Sequence, residues 1–436
     1  MKRTLLRILM LMMPSMMMAE GNALYISDNK QVEDSWSWCF SPELGLQVKR
    51  ITTCYDCRLV SEKGMSADVQ RILSMANMSV EKPDVVFLQL GCNDEADSEE
   101  SFKAYEQTLF DYPYGRVQNS KGANPRTKNI AVSKEDTQIS NANFAGSLYR
   151  IVKFIRESSP DTRIFFLSPM PYGKTLSPDE MGRISQLKAV ANMLCIPFAD
   201  NIDMVKAYDF IWTKRKPKLG KMLLIGDSYC FTRKWTAQLE QIAEVSLTNL
   251  GKTSATLKEK TNGNTNTLGN QLRSIPKGNT PDVILLEGGI NDEADQQRFV
   301  DKYDECIRDV KRTTFAGALA YIVKNLRDRF PQAKIFVVTP GGLYYGHTDH
   351  PFDFIVKSDQ IRKAANLLGL PTIDWDREGR LSFVFNNSKG TGNGSASKPF
   401  IYNVPTRETG DLLHPNEVGG RYLAENVVKE VSTLWK

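Results

Sequence analysis

The second half of the chain repeats the first, and this repeat limits the fold more than any other feature of the sequence. Residues 83–97, PDVVFLQLGCNDEAD, match residues 281–295, PDVILLEGGINDEAD. Residues 144–153 match residues 315–324 at a different offset, so the first copy carries extra residues between the two blocks. Two long copies predict two similar domains, because a solenoid needs shorter units repeated several times.

Each copy alternates short apolar runs with helical patterns. In the second copy we predict strands at residues 222–225, 244–247, 283–286, 334–338 and 371–373, and helices at residues 315–329 and 354–368. Wholly apolar strands that alternate with helices are typical of a parallel sheet covered on both faces. The sequence therefore predicts an α/β fold with two tandem three-layer α/β/α domains and parallel, flavodoxin-like sheets. In such sheets, functional sites form at the carboxyl ends of strands.

The N-terminus has the pattern of a secretory signal peptide. Lys2 and Arg3 precede a Leu- and Met-rich run, and Ala19 suits the cleavage position, so we assign the signal to residues 1–19. The run is too short to span a bilayer. We expect a secreted or periplasmic protein that does not contact the membrane after signal cleavage.

The repeat then sets the domain boundaries. We assign the first copy to residues 20–213, a linker to residues 214–221 and the second copy to residues 222–436. The basic run at 214–218 is short and interrupted by proline, and the net charge of +5 is spread along the chain, so we expect no nucleic-acid partner.

The seven cysteines do not form the regular spacing of a disulfide scaffold. Cys54 and Cys57 could form a local disulfide in an oxidising compartment. A redox or metal role for this pair is the alternative, although no second pair completes a metal site. We expect neither a metal nor a cofactor.

The clearest chemical signal is Gly226-Asp227-Ser228, which directly follows the apolar run 222–225. A helical pattern comes next, so Ser228 is expected between a buried strand and a helix. Free N–H groups at a helix start can stabilise the negative charge that develops when a serine attacks a carbonyl. Ser228 is therefore a candidate nucleophile, although a capping serine in an ordinary β–α turn would give the same tripeptide.

Three further blocks follow in the same copy. They are Asn249-Leu-Gly251-Lys-Thr-Ser254, Gly289-Ile290-Asn291-Asp292 and Asp411-Leu-Leu-His414-Pro415. In this order, on alternating strands and helices, the four blocks resemble those of the SGNH, or GDSL-type, hydrolase superfamily. The resemblance covers the chain from residue 219 to its end.

The resemblance implies a serine esterase with a Ser-His-Asp triad. Ser228 would be the nucleophile, His414 the general base, and Asp411 the residue that orients the imidazole. The implied oxyanion donors are the backbone N–H groups of Ser228 and Gly251 and the side-chain amide of Asn291.

Other residues of the second copy carry structural expectations. Ser254 stands where many family members have a second glycine, which puts the shape of that loop in question. Asp227 and Asp292 are expected to accept hydrogen bonds within their turns. His347 and His350 have a loose metal-ligand spacing, but a loop near the substrate is the preferred interpretation.

The first copy lacks the catalytic residues. Asn29 stands at the position of Ser228, and an amide cannot replace a serine nucleophile. Residues 1–213 contain no histidine, so no histidine-dependent triad can come from this half. We expect a degenerate, non-catalytic domain kept for packing, for binding or for shaping the active-site mouth.

The expected substrate class rests on an analogy to secreted members of the family. It favours short acyl groups, such as acetyl, on carbohydrate. The alternatives are an esterase of lipids or long-chain acyl groups, a non-catalytic glycan-binding protein, and a transferase that passes the acyl group to a sugar hydroxyl.

Overall fold

The computed structural model describes residues 21–28, 44–52, 60–61, 64–65, 71, 74, 76–78, 82–92, 94, 144–159, 161–169, 175–193, 196–213, 215–259, 265–295, 305–340, 353–375, 415 and 417–435. The predicted signal peptide lies outside these residues. None of the helices that the structure describes combines the length and the hydropathy needed to cross a bilayer.

The strands of the first half of the chain form one parallel sheet and one small hairpin. Their bounds are Gly21–Ser27 (β1), Leu46–Thr52 (β2), Val60–Ser61 (β3), Gly64–Met65 (β4), Val85–Gln89 (β5), Arg163–Leu167 (β6) and Phe198–Ala199 (β7). The sheet has the order β2-β1-β5-β6-β7, and all its neighbouring strands are parallel. The pair β3–β4 is antiparallel.

The second sheet has the same plan. Its strands are Lys218–Ile225 (β8), Glu244–Asn249 (β9), Val283–Glu287 (β10), Lys334–Val338 (β11) and Thr372–Ile373 (β12). They are parallel in the order β12-β11-β10-β8-β9. Within each sheet, the second strand lies outside the first and the third lies on its inner side. The chain forms two compact units, each built around one sheet.

Helices connect and cover these strands. Their bounds are Phe144–Ser158 (α1), Pro178–Met193 (α2), Ile202–Lys206 (α3), Ser228–Phe231 (α4), Lys234–Ile242 (α5), Leu268–Gln271 (α6), Phe315–Arg329 (α7), Asp353–Leu367 (α8) and Glu417–Trp435 (α9). The parallel α/β class predicted from the sequence is thus confirmed.

Strand β10 shows why the second sheet is covered on both sides, since all five of its residues are buried. Ile284 and Leu286 pack with α7 and α8 in one hydrophobic core. Val283 and Leu285 point to the opposite face and are also fully buried. On that face, α9 contacts β8 and β12 and packs against α5. Apolar side chains on both faces explain the run without polar alternation.

A cluster of aromatic side chains is buried in the first unit. The ring of Trp212 lies 6.2 Å from Phe87 and 5.9 Å from Phe165, in edge-to-face geometry at both contacts. Its indole N–H donates to the carbonyl of Leu44 at 3.2 Å. Burial of the indole therefore leaves its polar group satisfied.

The predicted elements of the second copy agree with the structure to within a few residues, and β11 and α7 agree in full. The start of β8 is the correction. The strand was predicted at residues 222–225, but β8 begins at Lys218. Exposed Lys218 and Lys221 flank buried Leu219, and Gly220 adopts a positive φ of 68° at an irregularity in the β8–β9 pairing. This start of the strand does not contribute to the apolar run, so hydropathy does not reveal it.

The two sheets also share a turn at glycines that the sequence repeat aligns. Gly91 follows β5 with a φ of 95°, and Gly289 follows β10 with a φ of 108°. Both values lie where glycine is favoured over other residues. The same backbone turn therefore follows the third strand of each sheet. The domain boundaries at 20–213 and 222–436 stay predictions.

We expect Leu286→Ala to lower the free energy of unfolding by about 2–5 kcal/mol, because it opens a cavity in the core between β10, α7 and α8. Leu367→Ala is the matched control, since Leu367 is 41% exposed at the end of α8 and should change stability by no more than about 0.5 kcal/mol. Urea denaturation measures both. Equal effects of the two substitutions would contradict this description of the core.

Candidate active site

Ser228 lies at the carboxyl end of β8, where the chain turns into the short helix α4. The Asp227 side chain caps that helix by accepting a hydrogen bond from the Tyr229 N–H at 2.9 Å. The Tyr229 ring is buried and lies 6.5 Å from the ring of Trp375. Ser228 itself is only 3% exposed. The cap and the aromatic contact fix the direction in which α4 leaves the strand.

Two buried side chains from other elements hold the turn before Ser228. Gln271, at the end of α6, accepts from the Gly226 N–H at 3.1 Å and donates to the Gly226 carbonyl at 2.7 Å. Glu287, at the end of β10, accepts from the Asp227 N–H at 3.2 Å and from the Cys230 thiol at 3.1 Å. A Cβ at Gly226 would lie 2.4 Å from Cys230 Sγ, so this position needs glycine.

This turn places acidic groups close together away from water. Burial, followed by the neighbouring Glu287, holds the pKa of Asp227 well above its ordinary value. The same two causes hold the pKa of the Cys230 thiol well above its usual range, so the thiol stays protonated and donates to Glu287. Asp227 therefore caps α4 and lies among these acidic groups, and the hydroxyl of the next residue, Ser228, lies beside them.

The Gly251 loop packs directly against α4. A Cβ at Gly251 would lie 2.5 Å from Cys230 Cβ and 2.7 Å from the Phe231 nitrogen, so only glycine permits this approach. Asn249 joins the two segments, because its side chain donates to the Cys230 carbonyl at 2.8 Å and accepts from the Gly251 N–H at 2.9 Å. The expected oxyanion donor Gly251 thus lies beside the helix that Ser228 begins, with its N–H engaged by Asn249.

The Asn291 turn is tied to the segment that follows Gly251. The Asn291 side chain donates to the Ala255 carbonyl at 2.9 Å. The Asp292 carboxylate accepts from the N–H groups of Leu257 at 2.8 Å and Lys258 at 2.9 Å. Burial raises the pKa of Asp292 to about 6, although these hydrogen bonds oppose the rise. Asp292 therefore orients the loop that carries Asn291.

Ser254 adopts a φ of 58°, in the left-handed region where glycine is the usual residue. The backbone shape that a second glycine would provide is therefore present, although a serine adopts it.

Two members of the expected triad, Asp411 and His414, lie outside the described residues, as do His347 and His350. The cysteines Cys54 and Cys57 also lie outside them. In the described part of the chain, no group of three or more His, Cys, Asp or Glu side chains is arranged to hold a metal ion.

The corresponding turn of the first unit has different contacts. The Asp28 carboxylate is buried and accepts from the N–H groups of Gly91 at 2.5 Å and Cys92 at 3.0 Å. Burial raises the pKa of Asp28 to about 7. Gln89 stands where the second unit has Glu287, and its side chain donates to the Ser168 carbonyl at 3.0 Å. Asn29 and Asn93 lie outside the described residues.

The contributions of Glu287, Gln271 and Asn249 to the site were not predicted from the sequence. Glu287 ends an apolar strand, and a charged residue at that position was the available signal. Asn249 stands two residues before Gly251 within a recognised block. Gln271 gave no signal, because only folding brings α6 to the Gly226 turn.

Together these contacts gather three of the four sequence blocks at the carboxyl edge of the second sheet. A buried hydroxyl lies at a helix start beside a glycine loop, and the segment after that glycine is hydrogen-bonded to a turn that carries an amide side chain. Such an arrangement suits attack on a carbonyl carbon and stabilisation of the resulting oxyanion.

No family model matches the chain, and no curated protein matches it. Solved structures do match. A protein described as a possible lipase from Chitinophaga pinensis is 19% identical, with a TM-score of 0.35, and the match covers 49% of this chain and 98% of that chain. A carbohydrate acetylesterase from Sinorhizobium meliloti is 14% identical, with a TM-score of 0.32 and coverage of 49% and 99%.

A third match is a member of the lipolytic G-D-S-L family from Veillonella parvula. It is 13% identical, with a TM-score of 0.29, and the match covers 48% of this chain and 96% of that chain. The solved structures that this chain is similar to thus include proteins described as a possible lipase, as a carbohydrate acetylesterase and as a member of the lipolytic G-D-S-L family.

Proposed function

We propose that this chain is a secreted serine esterase of the SGNH type that removes short acyl groups, most readily acetyl, from carbohydrate. The observation that carries the proposal is the contact between Gly251 and the helix that begins at Ser228. It joins an oxyanion loop to a nucleophile turn, each of which is weak evidence by itself. The proposal needs no cofactor and no nucleic-acid partner.

In the proposed reaction, Ser228 Oγ attacks the ester carbonyl and His414 takes its proton. Asp411 stands three residues before His414, so one loop can present both side chains. The imidazolium then protonates the departing alcohol, and the acyl group stays on Ser228. Water, activated by His414, releases the acyl group as a carboxylic acid and restores the hydroxyl.

The oxyanion would receive hydrogen bonds from the Ser228 N–H and from the Asn291 amide. One N–H of this amide donates to the Ala255 carbonyl, and an amide has a second to offer. The Gly251 N–H already donates to Asn249, so its use as an oxyanion donor requires that this bond be shared or replaced.

The short acyl group and the carbohydrate part of the proposed substrate both rest on an analogy to secreted esterases. A long-chain esterase is the alternative within the same chemistry, and an acyltransferase would differ only in its acceptor.

The proposal assigns no catalysis to the first unit. Its Asp28 carboxylate occupies the N–H groups of the Gly91 turn, and Asn29 replaces the nucleophile. A glycan-binding role for this unit is compatible with the proposed activity of the second.

Ser228→Ala should lower kcat for p-nitrophenyl acetate by at least about 10³-fold, because the acyl-enzyme can no longer form. The matched control is Ser246→Ala, on an exposed position of β9, which should leave kcat unchanged. Retention of more than a trace of hydrolysis by Ser228→Ala would contradict both the nucleophile and the inactive first unit.

The acyl preference follows from a comparison of p-nitrophenyl acetate with p-nitrophenyl octanoate. We expect a higher kcat/KM for acetate if the proposed preference for short acyl groups is correct. Faster turnover of octanoate would favour the lipid esterase. If the protein hydrolyses neither ester and no acetylated glycan, but still binds glycans, the result would favour the glycan-binding protein.

Asn291→Ala should lower kcat by about 10²–10³-fold with little change in KM, because an oxyanion donor acts mainly in the transition state. Asn325→Ala removes the same side chain from an exposed position on α7 and serves as the control. A loss confined to KM would assign Asn291 to ground-state binding instead.

A further inference from the structure

Two buried acidic side chains at the turn before Ser228, Asp227 and Glu287, have no role in the proposed reaction. Glu287 Oε2 accepts from the Asp227 N–H and from the Cys230 thiol, which lie on either side of Ser228. Glu287 is 1% exposed and Asp227 is fully buried. One carboxyl oxygen thus connects the residue before the nucleophile with the residue two positions after it.

Two negative charges at this place would be poorly stabilised. Oδ2 of Asp227 is buried without a hydrogen-bond partner among the described residues. Like charges in a buried site repel strongly, so such pairs normally retain a proton. Repulsion between two ionised carboxylates would push Asp227 away from Glu287 and with it the adjoining Ser228.

Three neighbouring groups among the described residues do not remove this repulsion. Cys230, on α4, contributes a protonated thiol that donates to Glu287. Asp292, in the turn after β10, adds a further negative charge that acts on Asp227. Gln271, at the end of α6, contributes a neutral amide to the adjoining Gly226.

The first unit provides an internal comparison. It has Gln89 at the position of Glu287, and its Asp28 carboxylate turns to the N–H groups of Gly91 and Cys92 instead. The buried pair of carboxyls therefore occurs in the unit that has Ser228 and is absent from the matched position of the unit that has Asn29.

We propose that Glu287 is a positioning residue for Ser228, and that the nucleophile turn keeps its shape only while Asp227 and Glu287 hold one proton between them. This inference rests on the proposed function for its kinetic consequence. Loss of the shared proton at alkaline pH then displaces the Asp227–Ser228 segment and lowers kcat. Glu287 itself contacts neither the substrate nor the reacting atoms.

The test is Glu287→Gln, which keeps the shape of the side chain and an oxygen for the Asp227 N–H. The pH profile of kcat is measured with p-nitrophenyl acetate, after subtraction of the rate with Ser228→Ala. We expect the alkaline fall of kcat in the parent protein to move upward by at least about one pH unit in the variant. An alkaline limb that stays in place overturns the proposal, whatever kcat is at neutral pH.

Glu293→Gln is the matched control, because it makes the same change on an exposed residue near the same turn. It should leave both kcat and its pH profile unchanged. A shift as large as that of Glu287→Gln would show a general charge effect and would also overturn the proposal.

A second measurement does not depend on ester hydrolysis. Asp227 has an ordinary pKa of 3.8 when unfolded and a raised pKa when folded, so the folded state holds a proton that the unfolded chain releases between these values. Stability from this group is therefore fully present below 3.8 and is lost as pH rises through the folded pKa. Glu287→Gln removes the repelling charge, so the variant should gain stability relative to the parent as pH rises.

Denaturation at a series of pH values gives this difference. A difference between variant and parent that stays constant with pH overturns the shared proton. If the difference changes with pH as expected but the parent protein hydrolyses no ester, the proposed function fails while the acidic pair stands. The two failures are therefore distinguishable.

Discussion

The parallel pairing of β8 with β10 is the constraint on which the candidate site depends. Ile225 lies opposite Leu286 in this pairing, so the next residues of the two strands, Gly226 and Glu287, meet where both strands end. Glu287 can then reach the Asp227 N–H and the Cys230 thiol. A shift of one residue would move Glu287 away from Gly226 and remove these contacts. The register of this strand pair therefore fixes the turn that carries Ser228.

Glycine makes the close approaches in this site possible. Gly226 lies against Cys230 and Glu287, and Gly251 lies against Cys230 and the backbone of Phe231. A side chain in place of Gly226 would clash with Cys230 and Glu287, and a side chain in place of Gly251 would separate that loop from α4. Asn249 completes the contact by hydrogen bonds to both segments. The Gly251 loop and the turn that carries Ser228 are thus packed as one unit, which would limit the reorganisation that the proposed reaction requires.

The two units show how one strand order can carry different side-chain contacts. Both sheets have their strands in equivalent order, and the matched turns at Gly91 and Gly289 have similar backbone conformations. The first unit nevertheless directs its buried Asp28 to the N–H groups of its own Gly91 turn, whereas Asp227 caps the helix of Ser228. A few side chains at the carboxyl edge of the sheet account for this difference, as is general for folds that support many functions.

The sequence predicts the parallel α/β class, most strand positions and the four blocks, because apolar periodicity and glycine-rich turns are local signals. It placed Ser228 at a strand end and Gly251 in the following loop, and the structure describes them there. It could not reveal the start of β8 at Lys218, because the exposed lysines there interrupt the apolar pattern. Only the tertiary structure brought Gln271 to Gly226 and Glu287 to Asp227 and Cys230, because these partners are distant in sequence and a polar residue gives no periodic signal of its contacts. The chemistry of the candidate site is thus visible in the chain, while the support that orients it exists only in the fold.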